Sequence, residues 1–435
     1  MKKFFHYINN EVLIKAASLN TANITIKIVA GILISKFIAI FVGPEGMALI
    51  GNLRNFFNAV QSISIAGLYK GVVKFISQYK YESSKLSGVL STVFYLGFFI
   101  SIVLAFLCYY NAEFINDFIF LNNNYSYVIE TLAIVLPFYA LNMFVFSIMN
   151  GFSKYKILLI INIIGQILGL SVTLLLIWQD KIDGALIAVV ITPALNLLIT
   201  LVGIAFRKNL MSYINISDIR FSILRKLSPF MVMALVSSIA LPIVCIIIRN
   251  YIVSEIGIKE AGYWTAVTRV SDYYLMFINS LMALYILPRF TEIDSRKEFR
   301  KEVFSFYKTI LPLFAAILGV IYLSRSLLVT LLFTEEFRPI EDLFGYQILG
   351  DFMRVMSMVI AYKFLAKKMF AHFIIIEVFL VVIMYVSSIY LIDFYGLKGA
   401  VMGYCLSYLM HFAIVILIFG SSLFGILNDN GNEDF

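Results

Sequence analysis

"KIVAGILISKFIAIFVGPEGMALIGNLRNF", residues 27–56, joins the end of one apolar run to the start of the next. Each run is long enough for a bilayer helix, because about 20 apolar residues cover a hydrocarbon core of about 30 Å. Each also carries cations where hydrocarbon is expected: Lys27 and Lys36 in the first, Arg54 in the second. A charge at the bilayer centre costs roughly 2.5–3.5 kcal/mol on insertion scales. The run lengths predict membrane helices. The cations need water, an acid on another helix, or an anionic ligand.

The rest of the chain repeats the pattern. It has 435 residues, 61% hydrophobic and 14% charged, with a mean hydropathy of +0.92. That excludes a soluble domain of this length and predicts an all-α integral membrane protein. The alternating signature of a membrane β-barrel is absent. Twelve spans are predicted, at 12–42, 47–69, 86–110, 128–150, 157–178, 184–206, 228–249, 262–287, 309–333, 343–365, 371–392 and 399–424. The longest connections, 207–227 and 288–308, are amphipathic and are expected on the membrane surface. The N-terminal "MKKFFHYINNEVLIKAASLN" lacks an apolar core followed by a small-residue cleavage site, and reads as a cytoplasmic lead-in.

Lysine and arginine set the orientation. Alternate connections hold Lys70, Lys74, Lys80 and Lys85, then Lys154 and Lys156, then Arg207, Lys208, Arg220, Arg225 and Lys226. The same side continues with Arg289, Arg296, Lys297, Arg300 and Lys301, then Lys363, Lys367 and Lys368. The opposite side offers only Lys181, Lys259, Arg338 and Lys398. Both termini are therefore expected in the cytoplasm. The net charge of +8 is orientation signal plus buried cations, which argues against a nucleic-acid partner. Cys108, Cys245 and Cys405 lie far apart in apolar runs and read as small core residues. The three histidines stand outside any metal-ligand spacing, so no metal and no cofactor are expected.

Residues 215 apart repay comparison. Glu45 matches Glu260, Arg54 matches Arg269, Lys74 matches Arg289 and Phe75 matches Phe290. This predicts a parallel repeat of two six-helix bundles, residues 1–215 and 216–435, able to rock about a central cavity.

The spans hold more ionisable groups than bare helices tolerate. Lys36, Arg249 and Arg325 fall near predicted span ends, where a long side chain reaches the interface. Lys27 is mid-span, and Arg54 has no acid within reach on its own helix. Arg269 with Asp272, and Arg354 with Asp351, are spaced i,i+3, so each pair shares a helix face. Each reads equally as a local ion pair or as part of a site. Glu377 is alone in its span. The excess of deep cations suits a wet cationic cavity, and arginine forks suit phosphate and carboxylate oxygens. Asn58 and its neighbours suit sugar hydroxyls, although asparagine also serves as helix-packing glue. Pro137, Pro193, Pro242 and Pro312 interrupt spans and permit kinks. No nucleotide loop, nucleophile elbow or metal motif is found, so the chain is not read as an enzyme.

The opening stretch, together with "GVVKFISQY" (71–79), "GYWTAVTRVSDYYLMFI" (262–278), "YILPRF" (285–290), "LFTEEFRPIEDLFGYQILGD" (332–351) and "LAKK" (365–368), resembles Wzx-type O-antigen and lipid III flippases. The likeness runs along nearly the whole chain. It implies the multidrug/oligosaccharidyl-lipid/polysaccharide (MOP) exporter superfamily, with a V-shaped, twelve-helix, MATE-like fold in the bacterial inner membrane. It also implies an undecaprenyl-diphosphate-linked glycan as cargo, membrane lipid as surroundings, and glycan polymerase or assembly proteins as partners. Lys27, Arg54 and Lys74 fall at matching motif positions, as do Asp272 and Asp351; Arg269 lies in a matching stretch. The substrate-binding residues expected are thus Lys27, Arg54, Asn58, Lys74, Arg269 and Arg354. Asp272, Asp351 and Glu377 are expected to couple an ion or pair with charge. The alternative is a drug or cation exporter of the same superfamily, whose cavity would favour acidic and aromatic residues.

Overall fold

The computed structural model describes residues 11–65, 68–79, 81–121, 123–205 and 214–424. Most of the N-terminal lead-in lies outside these residues or their described side chains, as do the first part of the basic linker and the acidic tail. The described residues are almost entirely helical and contain no strand. A chain this apolar has no water to satisfy its backbone, and the helix satisfies every N–H and C=O internally.

In chain order the helices are α1 (Glu11–Phe41), α2 (Gly43–Ser64), α3 (Leu68–Tyr79), α4 (Ser83–Tyr110), α5 (Ala112–Phe120), α6 (Ser126–Gly151) and α7 (Tyr155–Ala205). The series continues with α8 (Phe221–Glu255), α9 (Ile258–Leu281), α10 (Leu287–Glu292), α11 (Arg296–Leu323) and α12 (Arg325–Leu332). It ends with α13 (Phe344–Ala366), α14 (Phe370–Tyr395) and α15 (Leu397–Phe424). A π-helical segment, Met282–Ile286, joins α9 to α10. Among the described residues, nine helical stretches are long and apolar enough to cross a membrane. One of them, within α7, leaves helical geometry at Asp180 and Lys181 and so holds two crossings. α2 and α13 fall short of that apolar threshold because Asn, Arg, Gln and Asp dilute them. Together these make twelve long helices among the described residues, as expected for an all-α membrane protein.

Two expected spans are corrected. The ninth, placed at 309–333, is instead α11 from Arg296 to Leu323, followed by the separate short helix α12. The charged start 296–308 is helix because Ser295 caps it, its side chain accepting from the Glu298 N–H at 3.1 Å. The seventh, placed at 228–249, is α8, which starts at Phe221 and runs on to Glu255. Residues 221–227 of the expected 207–227 connection are therefore helix. Its described portion is fastened to α4: Asn215 N–H donates to Ser91 Oγ (2.9 Å), Ser87 Oγ to Asp218 (2.5 Å) and Arg220 N–H to Thr92 Oγ1 (2.9 Å).

The 215-residue repeat extends well beyond the four matches seen in the sequence. α6 ends at Gly151 and α13 at Ala366; α7 begins at Tyr155 and α14 at Phe370. Positive φ occurs at Ser153 and Lys368, and again at Lys181 and Gly396, each pair 215 apart. Gly396 takes this conformation without a side-chain clash, whereas Lys181 adopts it in spite of its Cβ.

By packing, the chain divides into two compact units. The first comprises residues 1–42 and 52–239, and the second residues 43–51 and 240–435. The expected boundary at 215/216 thus lies before the observed one, and the start of α2 groups with the second unit. The reason is close approach: a Cβ at Gly262 on α9 would lie 1.9 Å from the Pro44 carbonyl oxygen. Small residues let membrane helices approach this closely. In the first unit, α6 packs against α3, α4 and α7. In the second, α15 packs along α13 and α14, over an apolar core that includes Phe290, Phe299, Phe314, Val355, Phe364 and Phe419.

Candidate functional site

The expected residues fall into two groups, one in each unit. In the first unit, Lys27 is exposed on α1. On α2, Arg54 is half-buried, Asn58 exposed and Gln61 half-buried. Their spacing of four, three and then four residues to Ile65 sets all four on one helical stripe. Neighbouring polar residues serve the fold. Asn52 donates to the Ile119 carbonyl at 2.8 Å, and Ser64 Oγ to the Gln61 carbonyl at 2.7 Å. Lys74 lies on α3, but its side chain is outside the described set.

The second unit holds a denser network. Asp351 on α13 is fully buried, and its carboxylate accepts from hydroxyls on two other helices. Ser271 Oγ donates at 2.6 Å, Tyr404 OH at 2.6 Å, and Tyr274 OH in a short contact. Gln347 Nε2 adds a longer contact at 3.4 Å. Burying a carboxylate costs several kcal/mol, and donors on every side are what makes it tolerable. Arg354, one turn along α13, donates from Nη1 to Tyr404 OH at 3.4 Å. Its guanidinium stands 5.5 Å from the Tyr408 ring centre. The Arg354 and Asp351 side chains are thus bridged by the Tyr404 hydroxyl. Glu377 on α14 is half-buried and within electrostatic reach of Arg354.

Arg269 and Asp272 part company despite their spacing. Arg269 is buried, and its Nη1 donates to Met47 Sδ at 3.3 Å, while Asp272 is exposed. Arg249 departs from the sequence reading as well. It was expected to reach the interface from a helix end, but α8 continues six residues past it and it is only 4% exposed. Its Nε donates to Thr265 Oγ1 at 2.8 Å, and its guanidinium lies 5.1 Å from the Trp264 ring centre. Sequence reasoning missed Ser271, Tyr274, Tyr404, Tyr408 and Gln347. One signal was available: Gln347, Asp351 and Arg354 form an i, i+4, i+7 stripe, as do Tyr404, Tyr408 and His411.

Among the described residues no cluster of His, Cys, Asp and Glu is arranged to hold a metal ion. The first unit presents exposed and half-buried cations, and the second a buried carboxylate ringed by hydroxyls.

This architecture is that of a multi-pass, all-helical membrane protein. The chain superposes on an inward-facing MATE-family multidrug resistance transporter of the MOP superfamily with a TM-score of 0.73 and 15% identity, covering 94% of this chain and 96% of that one. An outward-facing MATE transporter gives 0.69 and 14%, covering 93% of each chain. At such identities the likeness is one of fold. The sequence narrows the class: residues 25–342 match the family described as "Polysaccharide biosynthesis protein", and the chain belongs to it. Its relatives include the lipid III flippases of Escherichia coli (strain K12) and Shigella flexneri, each 28% identical over 94% of this chain and 98% of theirs.

Proposed function

We propose that this protein is a flippase for an undecaprenyl-diphosphate-linked oligosaccharide in the bacterial inner membrane, both termini facing the cytoplasm. It carries the glycan headgroup from the cytoplasmic to the periplasmic leaflet by alternating access of its two units. The names of the relatives support the cargo class. The observation that carries the reading is Arg54, a half-exposed guanidinium on a membrane helix whose polar stripe continues through Asn58 and Gln61. Arg54 takes the diphosphate, helped by Lys27 and Lys74, and Asn58 takes a sugar hydroxyl; Arg269 and Arg354 are given to contacts within the second unit instead. Guanidinium forks bind phosphate oxygens in pairs. An interior-negative potential assists export: a headgroup of charge about −2 gains roughly 4–5 kcal/mol per 100 mV if it crosses the whole field.

Asp351 is the coupling group of this cycle, with Asp272 and Glu377 as further candidates, Glu377 within electrostatic reach of Arg354. As a carboxylate it accepts from Ser271, Tyr274 and Tyr404. Once protonated, it must find an acceptor for its own O–H, and one of these hydroxyls must turn. Tyr404 is the hydroxyl that also touches Arg354, so proton uptake at Asp351 would release or reorient that arginine.

The test is a strain dependent on this protein for surface glycan. Arg54→Ala should insert normally and lose export. Normal export would overturn the reading. Drug resistance on overexpression with unchanged glycan would favour the exporter alternative instead.

A further inference from the structure

The first unit contains an apolar pocket that is open on one side. It lies among α3, α4 and α6, and its lining includes Ile65, Val72, Phe94, Gly97, Phe98 and Phe144. Among the described residues the lining is apolar apart from Ser147, whose hydroxyl is already committed to the Phe144 carbonyl at 2.7 Å. None of these described side chains calls for a polar partner, and the surface they form suits a hydrocarbon chain. Gly97 keeps it open: a Cβ built there would meet nothing within 4 Å.

Its position supplies the second half of the argument. Ile65 is the last residue of the stripe that begins with Arg54 and passes through Asn58 and Gln61. One helix face thus runs from a guanidinium, over two amides, to an apolar pocket. From Arg54 to Ile65 the stripe spans about 16 Å at 1.5 Å per residue. Polar at one end, hydrocarbon at the other and cationic at the head, it complements an anionic amphiphile in both charge and polarity. We infer that this pocket holds the first isoprenoid units of the cargo's polyprenyl chain while the diphosphate sits at Arg54, an inference that rests on the flippase reading.

The test uses the full-length purified protein, with undecaprenyl diphosphate and inorganic diphosphate as ligands. The unsubstituted protein should prefer the lipid form by about tenfold or more, the worth of as few as two buried methylene groups. Gly97→Phe fills the pocket and should remove most of that preference while leaving inorganic diphosphate binding in place. A Gly97→Phe protein that keeps the full preference overturns the pocket. So does phosphatidylglycerol that competes as well as the polyprenyl chain. Failure of the unsubstituted protein to bind either diphosphate is a different result, and removes the cargo reading itself. A second measurement avoids filling the pocket. A photoreactive benzoylphenylalanine replacing Phe94 should capture radiolabelled undecaprenyl diphosphate. The same group replacing Phe106, 59% exposed on the same helix, should capture little. Equal capture at both positions overturns the inference.

Discussion

The two units share one helical plan and differ in what they place at matching positions. Asp351, Arg354 and Gln347 of the second unit correspond, 215 residues back, to Leu136, Tyr139 and Leu132 of the first. Leu132 and Leu136 are fully buried. Arg54 and Arg269 correspond in the same way, but Arg54 is half-exposed on a polar stripe, whereas Arg269 is buried against a methionine sulfur. Gly97, which opens onto the first unit's pocket, corresponds to Pro312 inside α11 of the second. Pro312 is itself exposed, whereas Val355 and Val359, the counterparts of the pocket's Ala140 and Phe144, belong to the second unit's buried core. A duplicated scaffold has thus kept its helix ends while its contents diverged. The first unit offers half-exposed cations and an open apolar pocket, and the second a closed polar network in a filled core. This difference suits a division of work in which the first unit meets cargo and the second responds to an ion.

The contrast breaks most sharply at Asp351. Asp351→Ala removes the acceptor shared by Ser271, Tyr274 and Tyr404; Ser271 and Tyr274, 3.0 Å apart, can pair with each other, which leaves Tyr404 and one of those two unpaired, at about 1–3 kcal/mol each. Thermal unfolding in detergent should show a loss of several kcal/mol in stability, together with loss of transport. Asp351→Asn keeps an acceptor oxygen, so its stability should lie near that of the unsubstituted protein. If Asp351 couples a proton, transport by Asp351→Asn should also lose its response to the pH gradient. A full pH response in that variant would move coupling elsewhere.

The two arginines come next. Arg54→Ala should weaken inorganic diphosphate binding by about thirtyfold, near the 2 kcal/mol lower limit for truncating one member of a buried charge pair. Arg269→Ala should change that affinity little and lower the unfolding temperature instead, because its described contact is structural. Equal losses of affinity in both variants would return Arg269 to the binding group and erase the distinction between the units.

The fold was legible because membrane helices obey a one-dimensional rule: length and apolarity decide them. Where the rule failed, charge misled it. Residues 296–308 look like a surface loop, yet Ser295 caps them into helix. The repeat held the correction all along, since α4 at 83–110 implies a helix near 298–325 in the second half. The site was legible only as a set of ions. Burial separates Arg54 from Arg269 and raises Arg249 from a helix-end cation to a buried one, and burial depends on partners distant in sequence. Tyr404 and Tyr408 were invisible for a related reason: in a chain with 26 tyrosines, a helix-packing tyrosine and a network tyrosine read alike. The pocket was hidden too, because an absence of side chains at Gly97 leaves no pattern to detect.

Two glycines sharpen the comparison on a smaller scale. A Cβ at Gly51, in the second unit, would lie 2.8 Å from Thr265 Cγ2 and 3.1 Å from the Arg249 guanidinium carbon. Gly51→Ala should therefore destabilise by about 1–3 kcal/mol, the usual range for overpacking. Gly97→Ala has open space and sits mid-helix in α4, where exchanging glycine for alanine favours the helix by about 0.5–1 kcal/mol. It should raise the unfolding temperature slightly, and one methyl group leaves most of the pocket open, so lipid diphosphate preference should survive. Opposite signs in the same assay would separate a close helix contact from a cavity wall. A destabilised Gly97→Ala would mean that α3 or α6 packs over that position, and the pocket would then be closed in the working protein.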